Sequence, residues 1–287
     1  MSSAAILVPR SLEEVFPLLG PDGTLLVGGG TALSLLVKTR MVAPRQLVWL
    51  GRTPTLQKVT VENGVLRIGA GVTLHGLSES ELVRRHCPSL ARAASEAANV
   101  RVRAVATLGG HLVHADPRQD LPPVLLAVGA TVGLASASTA REVQLDDFLI
   151  SFMETRICPG EVLTHVCVPV DTGRREVYLR FSPRSCEDFP TVGAAAAVTI
   201  GATNRIVDAR VGVGAVGSRA TVHRCLRPPV SEEELTEGLF ATAAAAVAEE
   251  TEPMADHRGS EHYKRHMVFV LVKRALSGCV AANQRAT

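Results

Sequence analysis

The chain reads as an α+β protein in two folded units, a larger one over residues 1–172 and a smaller one over residues 173–287. Three observations predict this. Strand-like and helix-like patterns interleave through the first stretch, and a polar, proline-bearing linker from Pro169 to Arg175 then interrupts them. Beyond the linker, three apolar runs precede two long helical segments, the order expected of an antiparallel sheet backed by helices. With 287 residues, 46% hydrophobic and 20% charged, the chain can bury two or three cores.

Taken in order, AAILV at 4–8 reads as a short buried strand, and Ser11 with Glu14 forms a capping box for a helix ending near Gly20. The strand TLLV at 24–27 runs into Gly28-Gly29-Gly30-Thr31, after which ALSLLVK is helical and QLVWL at 46–50 is again a strand. This closes a first subdomain of about residues 1–55, leaving 56–172 as a second. From Lys58, the alternation VTVENGVLRIGAG places a type I′ hairpin turn at Asn63-Gly64. Thr73 caps a short helix, and helical pieces follow at 80–86 and 88–98, the second opened by Pro88. Being polar on one face, the stretch from Gly71 to Ala98 is expected to form an outer covering. A helix at 121–128, the strand TVGLAS, the segment Glu142 to Ile150 and a closing strand within Glu161 to Val168 complete this unit. Past the linker, VYLRF, VGAAAAVTI and IVDARVGVGAV read as strands, and Glu232 to Glu250 and Ser260 to Ala282 as helices. Tyr263, Met267, Phe269, Val270 and Leu271 form the expected apolar face of the last.

Composition narrows the function. A net charge of +2 with one Trp, two Tyr and seven Phe argues against a nucleic-acid surface. The six cysteines stand singly, with no spacing for zinc or an iron–sulfur cluster, so this chain is expected to hold no metal centre. The N-terminus lacks a basic start followed by a long apolar core, and no apolar run approaches membrane-spanning length. Free thiols then fit a reducing cytoplasm.

Chemistry concentrates in Thr107 to Pro122, TLGGHLVHADPRQDLP. Gly109 and Gly110 allow close approach and positive φ, which lets consecutive amides face one anion. Asp116 and Asp120 offer acceptors to hydroxyl groups, and Leu112 and Val113 an apolar wall for a flat ring. Asp120 before Leu121-Pro122-Pro123 is equally a helix N-cap, and both roles stay open. His111 and His114 lack a convincing third ligand, which favours polar wall over metal cage. The loop Gly28 to Thr31, between strand and helix, is a second place for a phosphate, although such glycines also serve plain tight turns. Neither a P-loop nor a Rossmann fingerprint is present.

These stretches resemble the FAD-binding medium subunit of the molybdenum hydroxylases, the group containing xanthine dehydrogenase, bacterial carbon monoxide dehydrogenase and the aldehyde and N-heterocycle oxidoreductases. That family shows a loop of the type Ala-Gly-Gly-Thr-Asp-Leu, matched by Gly28-Gly29-Gly30-Thr31-Ala32-Leu33, and a second of the type Thr-Ile-Gly-Gly-Asn followed by Asp-Pro-x-x-Asp-Leu-Pro, matched by TLGGH and DPRQDLP. RIGAGVTL, RFSPRSCEDFPTVG and HRGSEHYKRHMVFVLVKRAL extend the likeness almost end to end. The resemblance implies a two-subdomain FAD-binding domain of the vanillyl-alcohol-oxidase/PCMH type, followed by a C-terminal α+β domain with a small antiparallel sheet and helices. It also implies that the amides of Val27, Gly28, Gly29, Gly30, Thr31, Ala32 and Leu33, with those of Ala106, Thr107, Leu108, Gly109, Gly110 and His111, hold the FAD pyrophosphate. Asp120 would bond to hydroxyls of the cofactor, and His114, Leu163 and Arg180 align near the flavin, where Arg180 would raise its potential. Ala32 and His111 depart from the acidic residue and the Asn common at those places, so main-chain contacts carry over there and side-chain contacts do not.

By this likeness the chain is an electron-transfer flavoprotein subunit. Its expected partners are a small subunit with [2Fe-2S] clusters and a large subunit with the molybdenum cofactor, in a dimer of heterotrimers, and the hydroxylation itself lies in the large subunit. Two other readings stay open. A stand-alone flavin oxidoreductase would need a proton donor or base from His111, His114 or Tyr178, and an assembly subunit would keep the fold without flavin.

Overall fold

The computed structural model describes residues 4–20, 22–201, 205–226, 230 and 236–281. The first subdomain is a three-stranded parallel sheet of β1 (Ala5–Leu7), β2 (Thr24–Val27) and β3 (Gln46–Trp49), in the order β1-β3-β2. Ser11 caps the helix Leu12–Val15 by accepting from the Glu14 amide at 3.3 Å, while Glu14 accepts from the Arg10 amide at 2.7 Å. That helix lasts one turn and tightens into a 3₁₀ segment, Phe16–Leu19, where Pro17 removes a backbone donor.

The second subdomain is built on an antiparallel sheet of β4 (Val59–Glu62), β5 (Val65–Gly69), β6 (Thr131–Ala135), β7 (Ala140–Gln144) and, later in the chain, Val162–Pro169, which takes the central position next to β5 and β6. Between them lies a small hairpin of β8 (Leu149–Ser151) and β9 (Glu154–Thr155), so the central strand is β10. Asn63 at φ 51° and Gly64 at φ 74° make the expected hairpin turn. Thr73, Ser80 and Asn99 each accept an amide at a helix start, which divides the stretch from Leu74 to Arg103 into short helices. This stretch is not an outer covering. Leu74, Leu77, Val83, Leu90, Ala93 and Ala94 are buried, and helix Pro88–Glu96 packs against helix Leu121–Ala127 and the first strand of the C-terminal sheet. Its alanines and serines are small enough to be enclosed, although they give the face a polar reading.

The linker is shorter than expected, because β10 runs to Pro169 and β11 (Arg174–Phe181) begins within the predicted span. The C-terminal sheet, in the order β11, β12 (Val192–Ile200), β13 (Ile206–Gly214) and β14 (Thr221–His223), is antiparallel throughout. Its alanine run explains its position. Ala195 and Ala197 face the core of the second subdomain, while Ala194, Ala196 and Val198 face the helices Glu237–Glu250 and Glu261–Ala281. Small side chains on both faces let layers close from both sides. Gly212 and Gly214 push this further, since a Cβ on either would collide with Pro123. The last helix buries Val268, Leu271, Val272, Ala275, Leu276 and Cys279, so its packed face is rotated from the expected one and Tyr263 remains 39% exposed. The predicted helix start at Glu232 and helix end at Ala282 lie outside the described residues. Among the described residues no helix is long and apolar enough to cross a membrane.

A buried carboxylate ties the two units together. Glu176 on β11 accepts from the Ser89 amide at 3.2 Å, from the Ser89 hydroxyl and from the Cys87 thiol at 3.3 Å, and pairs with Arg174 at 3.0 Å. It thereby caps helix Pro88–Glu96 from across the domain boundary, where a negative charge also meets the positive end of the helix. Glu176→Ala is expected to lower stability by about 3 kcal/mol, because it leaves the nearly enclosed Arg174 without its carboxylate. Glu176→Gln is expected to recover part of this, and chemical denaturation of both variants measures the difference.

Candidate functional site

The first glycine loop leaves β2 at Val27 and turns into helix Thr31–Lys38 through Gly30, whose φ of 69° is the left-handed conformation that favours glycine. No side chain caps this helix. The amides of Thr31, Ala32 and Leu33 in its first turn therefore lack intrahelical acceptors, and the helix dipole adds partial positive charge there. Gly28 and Gly29 meet a different demand. A Cβ on Gly28 would collide with the Thr107 hydroxyl, and one on Gly29 with the Val105 carbonyl while lying 2.8 Å from Ala106 Cα. The two stretches singled out in the sequence thus touch, backbone against backbone, although nearly eighty residues separate them.

The second stretch is not a loop of left-handed glycines. Thr107 caps the helix Leu108–His114 by accepting from the Gly110 amide at 3.2 Å, and Gly109 and Gly110 are ordinary helical residues with negative φ. Gly109 is needed for packing, since its Cβ would stand 2.7 Å from that of Ala70. Most amides here already have acceptors in the chain: Ala106 donates to Val102, Leu108 to Val72, Gly109 to Ala70 and His111 to Thr107, at 2.7 to 2.9 Å. The amides of Ala106, Leu108, Gly109 and His111 are thus committed within the chain, whereas those of Thr31, Ala32 and Leu33 are open.

Between them lies a cavity of about 440 Å³. Its wall includes Val27, Gly28, Gly29, Gly30, Thr31, Ala32 and Leu33 from one side, and Ala106, Thr107, Gly109, Gly110, His111, His114 and Leu163 from the other. Leu108 is fully buried in the core and does not line it. Sequence reasoning missed Leu56, Gln57, Gly71, Gln119 and Ile157 as wall residues. The RIGAG motif held a signal for the first three, because Gly69 and Gly71 carry no side chain where the backbone of Leu56 and the side chain of Gln57 press against them.

Two polar atoms test whether a large polar and apolar cofactor suits this cavity. His111 Nε2 and Gln119 Oε1 are both buried without a hydrogen-bond partner in the chain, on residues that line the wall. Buried groups of this kind call for a partner from outside the chain. Burial pushes the His111 imidazole down to about 3, with the neighbouring His114 acting in the same sense, and burial also lowers His114. Both rings are therefore neutral near pH 7. No third ligand joins them in the groupings of metal-ligating residues among the described residues. Val113 supplies apolar wall as expected, whereas Leu112 is enclosed in the core. FAD fits these surfaces, with open amides for its diphosphate, unpaired polar atoms for its edges and an apolar lining for its rings.

Asp116, Asp120 and Arg180 stand elsewhere. Burial would raise the Asp116 carboxyl, but Arg118, bonded at 2.5 and 2.8 Å, holds it below its ordinary value. Asp120 makes no side-chain cap, and it is enclosed against Tyr178, whose hydroxyl donates to it at 2.6 Å, and against Arg180 at an ion-pair distance of 3.3 Å. Arg180 also donates to the carbonyls of Glu96, Cys186 and Asp188 and to the Ser182 hydroxyl, so it clamps the second subdomain to the loop after β11. Neither Asp120 nor Arg180 reaches the cavity wall.

Burial pushes the Asp120 carboxyl up from an ordinary 3.8 to about 6, against the pull of Arg180 and Tyr178. A carboxyl raised in this way favours its protonated form in the folded state. Its contribution to stability is therefore greatest below pH 4, falls as pH rises toward 6, and is constant above. The shift corresponds to about 3 kcal/mol. Asp120→Asn is expected to remove that segment of the stability-against-pH curve, as read from urea denaturation at a series of pH values.

Two family patterns account for most of the chain. Residues 2–171 match the FAD binding domain in molybdopterin dehydrogenase, and residues 177–278 match the CO dehydrogenase flavoprotein C-terminal domain. The chain is 31% identical to the glyceraldehyde dehydrogenase medium chain of Sulfolobus acidocaldarius, over 93% of this chain and 94% of that one. It is 32% identical to the 6-hydroxypseudooxynicotine dehydrogenase complex subunit alpha of Paenarthrobacter nicotinovorans, over 94% and 92%. The crystal structure of quinoline 2-oxidoreductase from Pseudomonas putida 86 superposes with a TM-score of 0.91 at 30% identity, covering 98% of both chains. With its open helix terminus, its paired turns and these relatives, the chain belongs to the family of FAD-binding flavoprotein chains of the molybdopterin dehydrogenases.

Proposed function

We propose that this chain is the electron-transfer subunit of a heterotrimeric molybdenum hydroxylase, binding FAD between the Gly28–Leu33 and Ala106–His111 stretches. The observation that carries this reading is the uncapped N-terminus of helix Thr31–Lys38, held open toward a cavity whose opposite wall is the Thr107 turn. The amides of Thr31, Ala32 and Leu33 bind the diphosphate, neutral His111 and Gln119 bond to polar edges of the cofactor, and Leu163 and Val113 exclude water beside its rings. When bound, FAD supplies the capacity to take up electrons and release them to an outside acceptor. Asp120 and Arg180 act at one remove, by fixing the C-terminal sheet against the second subdomain.

Oxidation of the substrate then falls to a large partner chain carrying the molybdenum cofactor, and a small chain with [2Fe-2S] clusters connects the two. Several relatives are named as medium chains or subunits of complexes, which supports this division, and we propose a dimer of such heterotrimers in the cytoplasm. The geometry disfavours a stand-alone oxidoreductase. Tyr178 is 1% exposed and committed to Asp120, and the remaining candidates for proton transfer, His111 and His114, have their basicity lowered by burial.

The purified chain is expected to be yellow, with one FAD per chain released on denaturation. Gly29→Val, which drives a side chain into the Val105 carbonyl, is expected to cut the flavin content at least tenfold. A correctly folded wild-type preparation that stays colourless with FAD added would overturn the proposal.

A further inference from the structure

We propose that Glu142, His165 and Cys167 form a zinc site on the sheet face opposite the cofactor cavity. A register shift in β10 creates that second face. Leu163 pairs with Leu134 and His165 with Gly133, which are successive residues of β6, so Thr164 is an extra residue and the side chains on either side of it project to opposite faces. Leu163 lines the cofactor cavity, whereas His165 and Glu142 line a separate cavity of about 700 Å³ between the sheet and the first subdomain.

The three ligand atoms lie within 4.8 Å of one another. His165 Nε2 is 3.6 Å from Glu142 Oε1, and Cys167 Sγ is 3.9 Å from the same oxygen. Tetrahedral zinc with bonds of about 2.0 to 2.3 Å sets its ligands roughly 3.3 to 3.8 Å apart, so two edges of the site are nearly in place. His165 and Cys167 alternate on β10, and Glu142 reaches them from β7 across the intervening β6. Gly133 makes this reach possible, because a Cβ there would collide with the imidazole. His165 is 9% exposed, and its Nε2 is enclosed with no hydrogen-bond partner.

The other ring nitrogen has an orienting partner within reach. The Thr164 hydroxyl donates to the Gly133 carbonyl at 3.1 Å, and its oxygen lies 2.8 Å from His165 Nδ1. As the chain stands, an Arg67 N–H donates to Nδ1 at 3.1 Å, which leaves the ring hydrogen on Nε2; once Arg67 moves off, the Thr164 oxygen takes Nδ1–H, and that tautomer turns the Nε2 lone pair toward Glu142 and Cys167. A metal-bound histidine is commonly oriented in this way by its other nitrogen. Imidazole, thiolate and carboxylate together suit a borderline-soft divalent ion, not calcium or magnesium. On binding, the Cys167 S–H bond breaks, its proton leaves to solvent, and a Zn–S bond forms, with water in the fourth position. Arg67 therefore competes with the metal, both by its positive charge and by its bond to Nδ1, and zinc binding requires this exposed side chain to swing away.

The test titrates the full-length chain with zinc sulfate against a chelating indicator, in a Cys158→Ser/Cys186→Ser background that removes the two exposed thiols. One ion per chain is expected, with one sulfur in its zinc-edge X-ray absorption. His165→Gln and Cys167→Ser are each expected to weaken binding at least tenfold, Cys167→Ser to remove the sulfur signal, and Arg67→Met to tighten binding. Glu142→Gln, on an exposed side chain, gives the same reading should either core substitution impair folding. Flavin content is expected to stay unchanged throughout, which separates this site from the cofactor reading. Failure to bind zinc, or affinities within twofold of the parent in His165→Gln and Glu142→Gln, would overturn the proposal.

Discussion

The backbone contact between Gly28-Gly29 and the Val105 to Thr107 turn is the constraint on which the rest of the molecule depends. No residue with a Cβ fits either glycine position, because the Thr107 hydroxyl and the Val105 carbonyl occupy the space. That contact docks the three-stranded parallel sheet onto the second subdomain. It also aims the start of helix Thr31–Lys38 at the wall formed by Thr107, Gly110 and His111. Gly30 in its left-handed conformation turns the chain at that point, and the residues carrying the open amides line the cavity.

The C-terminal unit supports this arrangement without lining the cavity. Its alanine-rich central strand is enclosed on both faces, and Gly212 and Gly214 let helix Leu121–Ala127 sit directly on the sheet. Two buried carboxylates then fix the relative position of the units, Glu176 at the start of helix Pro88–Glu96 and Asp120 between Tyr178 and Arg180. Charge that family likeness suggested for the flavin is thus used to hold the frame. A subunit whose task is to keep a redox group at a set place between partners depends on such a frame more than on any single reactive side chain.

Much of this was legible from local pattern. The hairpin turn at Asn63-Gly64, the strand, glycine loop and helix from Thr24 to Lys38, and the strands before helices beyond Arg174 all follow from short-range rules of turn chemistry and periodicity. The rest depended on contacts distant in sequence. Gly109 and Gly110 suggested a flexible loop, yet Ala70 sets the need for the first and Thr107 binds the second into a helix. The enclosure of helix Pro88–Glu96 is imposed by a strand some eighty residues later. Asp120 looked like a cap or a ligand because nothing near it in sequence reveals Tyr178 and Arg180. The grouping of Glu142 with His165 and Cys167 was invisible for the same reason, since it needs a register shift at Thr164 and a glycine on the strand between.

The asymmetry between the two stretches is the most direct point of attack on the account. Amide hydrogen exchange, followed residue by residue with and without FAD, separates donors that meet the cofactor from donors already bonded within the chain. Gly30 to Leu33 are expected to gain strong protection on binding, while Leu108 and Gly109, already bonded to Val72 and Ala70, change little. Unchanged exchange at Thr31 to Leu33 in a preparation carrying a full complement of FAD would contradict the account.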